Sequence, residues 1–248
     1  MTAMKRLLLG CMVVLGFGCD GRTPGGTSPG GTAAAPSTGP AGTLRVLALG
    51  DSYTIGEGVA PAERWPVQLA ALLRADGLSV GEPTIVARTG WTTDELAAGI
   101  DRAGPKGPYY LVSLLIGVNN QYRGRDSEGY RNEFAALLER AVGFAGGDAG
   151  RVLVVSIPDW GATPFAAGQD RARIASEIDR FNAVNREEAR RAGARYVDVT
   201  GVSRRATGEP GLVAGDGLHP SGAMYAEWAR LALPEARAAL NAPEGGER

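Results

Sequence analysis

One histidine, His219, occurs in the whole chain, and Asp216 stands three residues before it in the run Asp216-Gly217-Leu218-His219-Pro220. Imidazole is the side chain whose ordinary pKa lets it take and return a proton near neutrality. A nearby carboxylate can orient the ring and stabilise the imidazolium that forms. Such a base needs a group to activate, and Ser52 in Gly50-Asp51-Ser52-Tyr53 offers a hydroxyl that is a poor nucleophile until it is deprotonated. Two other segments, Arg88-Thr89-Gly90-Trp91 and Gly117-Val118-Asn119-Asn120, carry hydrogen-bond donors. The backbone N–H groups of Ser52 and Gly90 and the side-chain amide of Asn119 are candidates for stabilising an oxyanion, where each donor is typically worth about 3–4 kcal/mol. A hydroxyl, a base with its carboxylate, and several donors are together what acyl transfer requires.

Taken singly, each signal has a plainer explanation. Gly-Asp-Ser is common in turns, and Gly90 could be a turn glycine alone. Asn119 could bond a loop backbone, and Asp216 could cap its own loop or the following helix. Pro220 and Ser221 mark a loop entering a helix, with Ser221 the candidate N-cap. What favours chemistry is the conjunction, because the four segments fall in positions that one fold would bring together.

That fold follows from the hydrophobic pattern. Short apolar runs at Leu44–Leu49, Thr84–Ala87, Tyr109–Ile116, Val152–Ile157 and Arg195–Val199 read as strands. Amphipathic stretches at about Trp65–Asp76, Thr93–Ile100, Ser127–Val142, Arg171–Ala192 and Ser221–Leu240 read as helices between and after them. Nearly continuous apolar strands alternating with helices predict a parallel sheet covered on both faces, a three-layer α/β/α sandwich. In such sheets ligands bind beyond the carboxyl ends of the strands. Ser52, Gly90 and Asn119 follow the first, second and third strands, and His219 precedes the last helix.

These four segments resemble the conserved blocks of the SGNH (GDSL-like) serine hydrolases, in the family's order and over about residues 43–240. The resemblance implies a flavodoxin-like five-stranded sheet in the order 2-1-3-4-5. It also implies Ser52 as nucleophile, Gly90 and Asn119 as oxyanion donors, and His219 with Asp216 completing the triad. The activity implied is hydrolysis of carboxylic esters through an acyl-enzyme, with no cofactor required. Family substrates include lysophospholipids, thioesters, simple esters and acetylated carbohydrates. One departure stands out: Asn120 occupies the place where the third block usually has Asp.

Composition narrows the alternatives. The 248 residues are 44% hydrophobic and 21% charged with a formal net charge of −1, as expected of a globular domain. Near-neutral charge offers nothing to a nucleic acid. One histidine, with both cysteines (Cys11 and Cys19) confined to the first nineteen residues, makes a zinc site in the domain an unsupported reading. The Gly50–Gly58 loop lacks the lysine and spacing of a phosphate-binding loop, which weighs against a nucleotide-binding domain. A noncatalytic binding module that keeps the fold is the other alternative, although neither serine nor histidine has been lost.

The N-terminus reads as an address. Lys5 and Arg6 precede an apolar run over Leu7–Phe17 ending at Gly18-Cys19, too short to span a membrane and ordered like a secretory signal. It resembles a lipoprotein signal over residues 1–19, in which Cys19 would be lipidated and anchor an exported envelope protein. Gly16 stands where such signals usually carry Leu. Leu8-Leu9-Gly10-Cys11 fits that local pattern better, but cleavage there would leave almost no apolar segment, which favours Cys19. A plain cleaved signal is the alternative. Residues 20–42 are almost wholly Gly, Pro, Thr, Ser and Ala and predict a flexible tether to a domain over 43–248. Loop aromatics Trp91, Tyr122, Trp160 and Phe165 are candidate substrate contacts. Arg123 and Arg125 could meet an anionic head group, although a solvated loop explains them as well. The Arg-rich helix Arg171–Ala192 mixes in Asp and Glu, so surface pairing suffices there.

Overall fold

The apolar runs of the sequence become the centre of the molecule. The computed structural model describes residues 42–241. The signal, both cysteines and all but the last residue of the tether lie outside the described residues. The strands are β1 (Val46–Gly50), β2 (Thr84–Ala87), β3 (Leu111–Leu115), β4 (Val152–Val155) and β5 (Arg195–Val197). The helices are α1 (Ser52–Ile55), α2 (Trp65–Ala75), α3 (Thr93–Ala103), α4 (Val118–Tyr122), α5 (Ser127–Phe144), α6 (Arg171–Ala192), α7 (Thr200–Arg204) and α8 (Gly222–Asn241). All five strands are parallel in the order β2-β1-β3-β4-β5, as the resemblance implied.

Every residue of β1, β3 and β4 is buried, because helices cover both faces. The helix α2 packs against α8 in one layer, and α5 packs against α3 and α6 in the other. The large side chains Trp65, Trp228, Tyr109, Tyr130 and Phe134 fill the space between layers. Helix boundaries follow local chemistry. The Asp170 carboxylate accepts from the Arg173 N–H at the start of α6, and Gly193 turns left-handed at its end. A cap of that kind is typically worth about 1 kcal/mol. Among the described residues no helix is long and apolar enough to cross a membrane.

The register levels the sheet's functional edge. Gly50 pairs with both Ala87 and Leu115, so β1, β2 and β3 end at the same height. The chain therefore releases Ser52, Gly90 and Asn119 from one edge.

The strands are shorter than their apolar runs where side chains capture the ladder's backbone groups. Leu44 makes only an isolated bridge with Val80. Beyond β4, the Ile157 N–H donates to the Asn182 side chain, and beyond β5 the Val199 N–H donates to the Ser156 hydroxyl. Three short helices, α1, α4 and α7, have no counterpart in the hydrophobic pattern, since four or five residues are too few to show a period.

Candidate active site

Ser52 opens the one-turn helix α1 directly after β1. A Cβ on Gly50 would fall 2.2 Å from the Thr54 hydroxyl oxygen and 2.4 Å from the Leu115 carbonyl oxygen. Only glycine lets the chain turn from strand to helix so close to β3. The Asp51 carboxylate caps the turn, accepting from the Tyr53 N–H at 3.0 Å. Ser52 is buried, and its own N–H belongs to the first turn, beyond reach of the helix's carbonyls. Asp51 is also fully buried, and loss of hydration pushes its carboxyl up to about 7 against the pull of its backbone hydrogen bonds.

Asp216 divides its two oxygens between a loop and a ring. Oδ1 accepts from the N–H groups of Leu218 and His219, each at 2.9 Å, and Oδ2 faces His219 Nδ1 at 2.7 Å. Loop capping and imidazole orientation are thus both roles of this one residue. Burial opposes its ionisation, but the two backbone N–H groups and His219 outweigh that and hold the carboxyl below its ordinary value. An ionised carboxylate at Nδ1 places the proton there and leaves the Nε2 lone pair free to act as a base. The loop itself is pinned by an antiparallel bridge between Val213 and Pro220 and by the Ala214 N–H donating to the His219 carbonyl at 2.7 Å. Tyr53 lies tilted against the imidazole with ring centroids 5.4 Å apart. Ser221 plays its expected capping part weakly, accepting from the Met224 N–H at 3.4 Å while its hydroxyl donates to the Gly211 carbonyl.

Gly90 occupies the third position of a turn closed by the Trp91 N–H on the Arg88 carbonyl, with φ +83. That left-handed conformation strains any residue with a Cβ. Asn119, in α4, donates through Nδ2 to the Trp91 carbonyl at 2.9 Å. One amide hydrogen is thereby fixed, and the second remains to meet a ligand. Arg123, one turn further along the chain, donates to the Gly90 carbonyl at 2.7 Å and reaches Glu95 at 3.3 Å. Arg123 is a support of the Gly90 turn, not a free head-group cation. The spacing Asn119–Arg123, one helical turn, is the signal that could have found it. Arg125 is likewise engaged, pairing with Asp94 at 2.7 Å and with Glu133 at 3.6 Å.

Asn120 explains the departure from the family block. It is fully buried, accepts from the Thr93 N–H at 3.1 Å and donates to the Thr93 hydroxyl at 2.7 Å. That hydroxyl in turn donates to Glu133. The amide ties the Asn119 segment to the start of α3.

Ser52, Gly90, Asn119 and His219 all line one cavity of about 170 Å³. Asp216 stands behind the imidazole, outside the lining. Tyr122, Trp160 and Phe165 form an aromatic wall, with Tyr122 edge-on to Trp160 at 5.3 Å and Phe165 at 5.9 Å from Trp160. The fourth expected aromatic, Trp91, does not line this cavity: its ring packs over Gly99, where a Cβ would fall 2.2 Å from it. The Arg-rich α6 carries the expected surface pairs, such as Arg173–Glu177 and Arg191–Glu187. Among the described residues no group of three or more His, Cys, Asp or Glu side chains is arranged to hold a metal ion. Gly58, in the loop after α1, lies close to Asp216, since a Cβ there would fall 3.3 Å from Asp216 Oδ2.

Residues 48–227 match the model of the GDSL-like lipase/acylhydrolase family. No curated protein is significantly similar in sequence. Among solved structures, TesA is similar at 20% identity and TM-score 0.61, covering 79% of this chain and 100% of its own. The psychrotrophic esterase EstA from Pseudoalteromonas sp., in a structure inhibited by monoethylphosphonate, is similar at 18% identity and TM-score 0.58, with 79% and 98% covered. The acetylxylan esterase Axe2 from Geobacillus stearothermophilus is similar at 20% identity and TM-score 0.60, with 78% and 94% covered. At these identities the likeness is one of fold.

Proposed function

The chain belongs to the GDSL-like lipase/acylhydrolase family, and from that premise we propose that it is a serine esterase working through an acyl-enzyme on Ser52. The observation that carries the reading is the shared cavity. Ser52 and His219 line it from different segments, and Asp216 holds the imidazole by Nδ1.

The mechanism follows from those groups. His219 Nε2 takes the Ser52 proton as the hydroxyl oxygen bonds to the ester carbonyl carbon. Negative charge moves to the former carbonyl oxygen, where the N–H groups of Ser52 and Gly90 and the free amide hydrogen of Asn119 are the donors. The carbon–oxygen bond to the alcohol then breaks, and the imidazolium protonates the departing oxygen. Water repeats the sequence on the acyl-enzyme, with His219 again as base, and releases the acid. Asp216 stays ionised throughout and compensates the imidazolium.

The small aromatic-walled cavity favours a short acyl group over a long chain, which bears on the choice among simple esters, acetylated carbohydrates, thioesters and lysophospholipids. The test is hydrolysis of p-nitrophenyl acetate by the wild type and by Ser52→Ala and His219→Ala. Both variants should lose at least about a thousandfold in kcat/KM. Retention of wild-type rates by either would refute the assignment. For the N-terminus, the proposal is export and anchoring through lipidated Cys19.

A further inference from the structure

A second and larger cavity of about 760 Å³ lies beside the first and shares Tyr122 and Trp160 with it. Its volume falls in the range of small-molecule sites. The rest of its wall comes from the segments that start α5 and α6 and from one face of α6. Three arginines there, Arg125, Arg173 and Arg180, are balanced by Asp126, Asp170 and Glu177. The cations are also engaged, Arg125 with Asp94 at 2.7 Å, Arg173 with Glu177 at 2.8 Å and Arg180 with Glu177 at 3.9 Å. The lining therefore carries donors and acceptors together with no net formal charge to draw an anion.

Its boundary with the smaller cavity is built rather than incidental. Trp160 Nε1 donates to Gln121 Oε1 at 2.8 Å, and Gln121 Nε2 donates to Glu177 Oε2 at 2.8 Å. This chain of bonds fixes the shared wall from the indole to the groove. Tyr122 stands on the shared rim with 57% of its surface exposed. An exposed aromatic face attracts the partly positive C–H edges of a ring laid upon it. Unpartnered charge would suit a phosphate and continuous apolar lining an alkyl chain. A flat aromatic beside hydrogen-bonded carboxylates, guanidinium groups and amides suits a ring bearing several hydroxyls.

We propose that this groove holds the alcohol portion of the substrate, a neutral oligosaccharide, while its short acyl group enters the cavity at Ser52. The assignment rests on the esterase reading of that site. It is tested by kcat/KM for O-acetylated xylose, glucose and N-acetylglucosamine and for their oligomers up to four units, with p-nitrophenyl acetate and a lysophospholipid alongside. In at least one sugar series kcat/KM should rise at least tenfold from one unit to four. The exposed groove residues Gln169 and Arg180 supply the variant. The double substitution Gln169→Ala/Arg180→Ala, checked for folding by circular dichroism, should cut the length gain at least fivefold, chiefly through KM. Cleavage of p-nitrophenyl acetate with no gain in any series overturns the groove assignment and leaves the esterase standing. So does a gain that the double variant keeps, or a higher kcat/KM for the lysophospholipid than for every sugar. Failure to cleave any ester, with Ser52 unreactive, would instead remove the esterase reading itself.

Discussion

Replacing Asp51 by Asn should raise the protein's stability relative to wild type progressively as the pH rises. Asp51 has one oxygen on the Tyr53 N–H, while Oδ2 is buried without a partner. Burial lifts its carboxyl from 3.8 to about 7. The native state then holds a proton that the unfolded chain releases near pH 4, so stability is fully present below that pH and declines until about pH 7. At about 1.4 kcal/mol per pH unit the full penalty is on the order of 4 kcal/mol, of which more than half develops between pH 5 and pH 8. Asparagine keeps the acceptor for Tyr53 and cannot ionise. Any fixed cost of burying its amide is the same at both pH values and cancels in the comparison. Urea denaturation of wild type and variant at pH 5 and pH 8 should show the variant gaining roughly 2–3 kcal/mol relative to wild type between the two, or roughly 5–10 °C in melting temperature. An equal difference at the two pH values would refute the claim that burial holds this carboxyl protonated.

Asn119→Ala removes one oxyanion donor and should lower kcat about a hundred- to a thousandfold with little change in KM, read on p-nitrophenyl acetate. An unchanged kcat would take Asn119 out of the oxyanion site. Asn120→Asp restores the residue usual in the family block but leaves two carboxylates, the introduced one and that of Glu133, facing the single hydrogen of the Thr93 hydroxyl. The cost should be about 1–3 kcal/mol in urea unfolding, and a neutral result would mean that this network rearranges freely. Cys19→Ser should abolish labelling of the expressed chain by a palmitate analogue, and continued labelling would move the anchor to Cys11.

How much could be read in advance depended on whether the information was local. Thr84–Ala87 and Arg171–Ala192 were legible to the residue, because a short apolar run bounded by Pro83 and Arg88, and a long amphipathic run between Asp170 and Gly193, carry their own end signals. The gathering of the candidate residues at one edge was legible, because each occupies the first turn beyond a strand or the loop before α8. Their supports were not. Arg123 on the Gly90 carbonyl and Asn120 on Thr93 join segments 27–33 residues apart, and no periodicity encodes which side chains meet across a sheet edge. Trp91 misled for the same reason: the sequence placed it in the correct loop, but Gly99 on α3 offered its ring a place to pack. The paired cavities depend on Trp160 and Gln121, which meet across 39 residues.

Everything chemical here depends on Ser52 being activated by His219. A fluorophosphonate reagent reads this directly, since it bonds only to a serine whose proton is drawn away by a base. Peptide mass mapping should find the phosphonyl group on Ser52 in the wild type and essentially none in His219→Ala. Labelling at another serine, or undiminished labelling of Ser52 without the imidazole, would contradict the account.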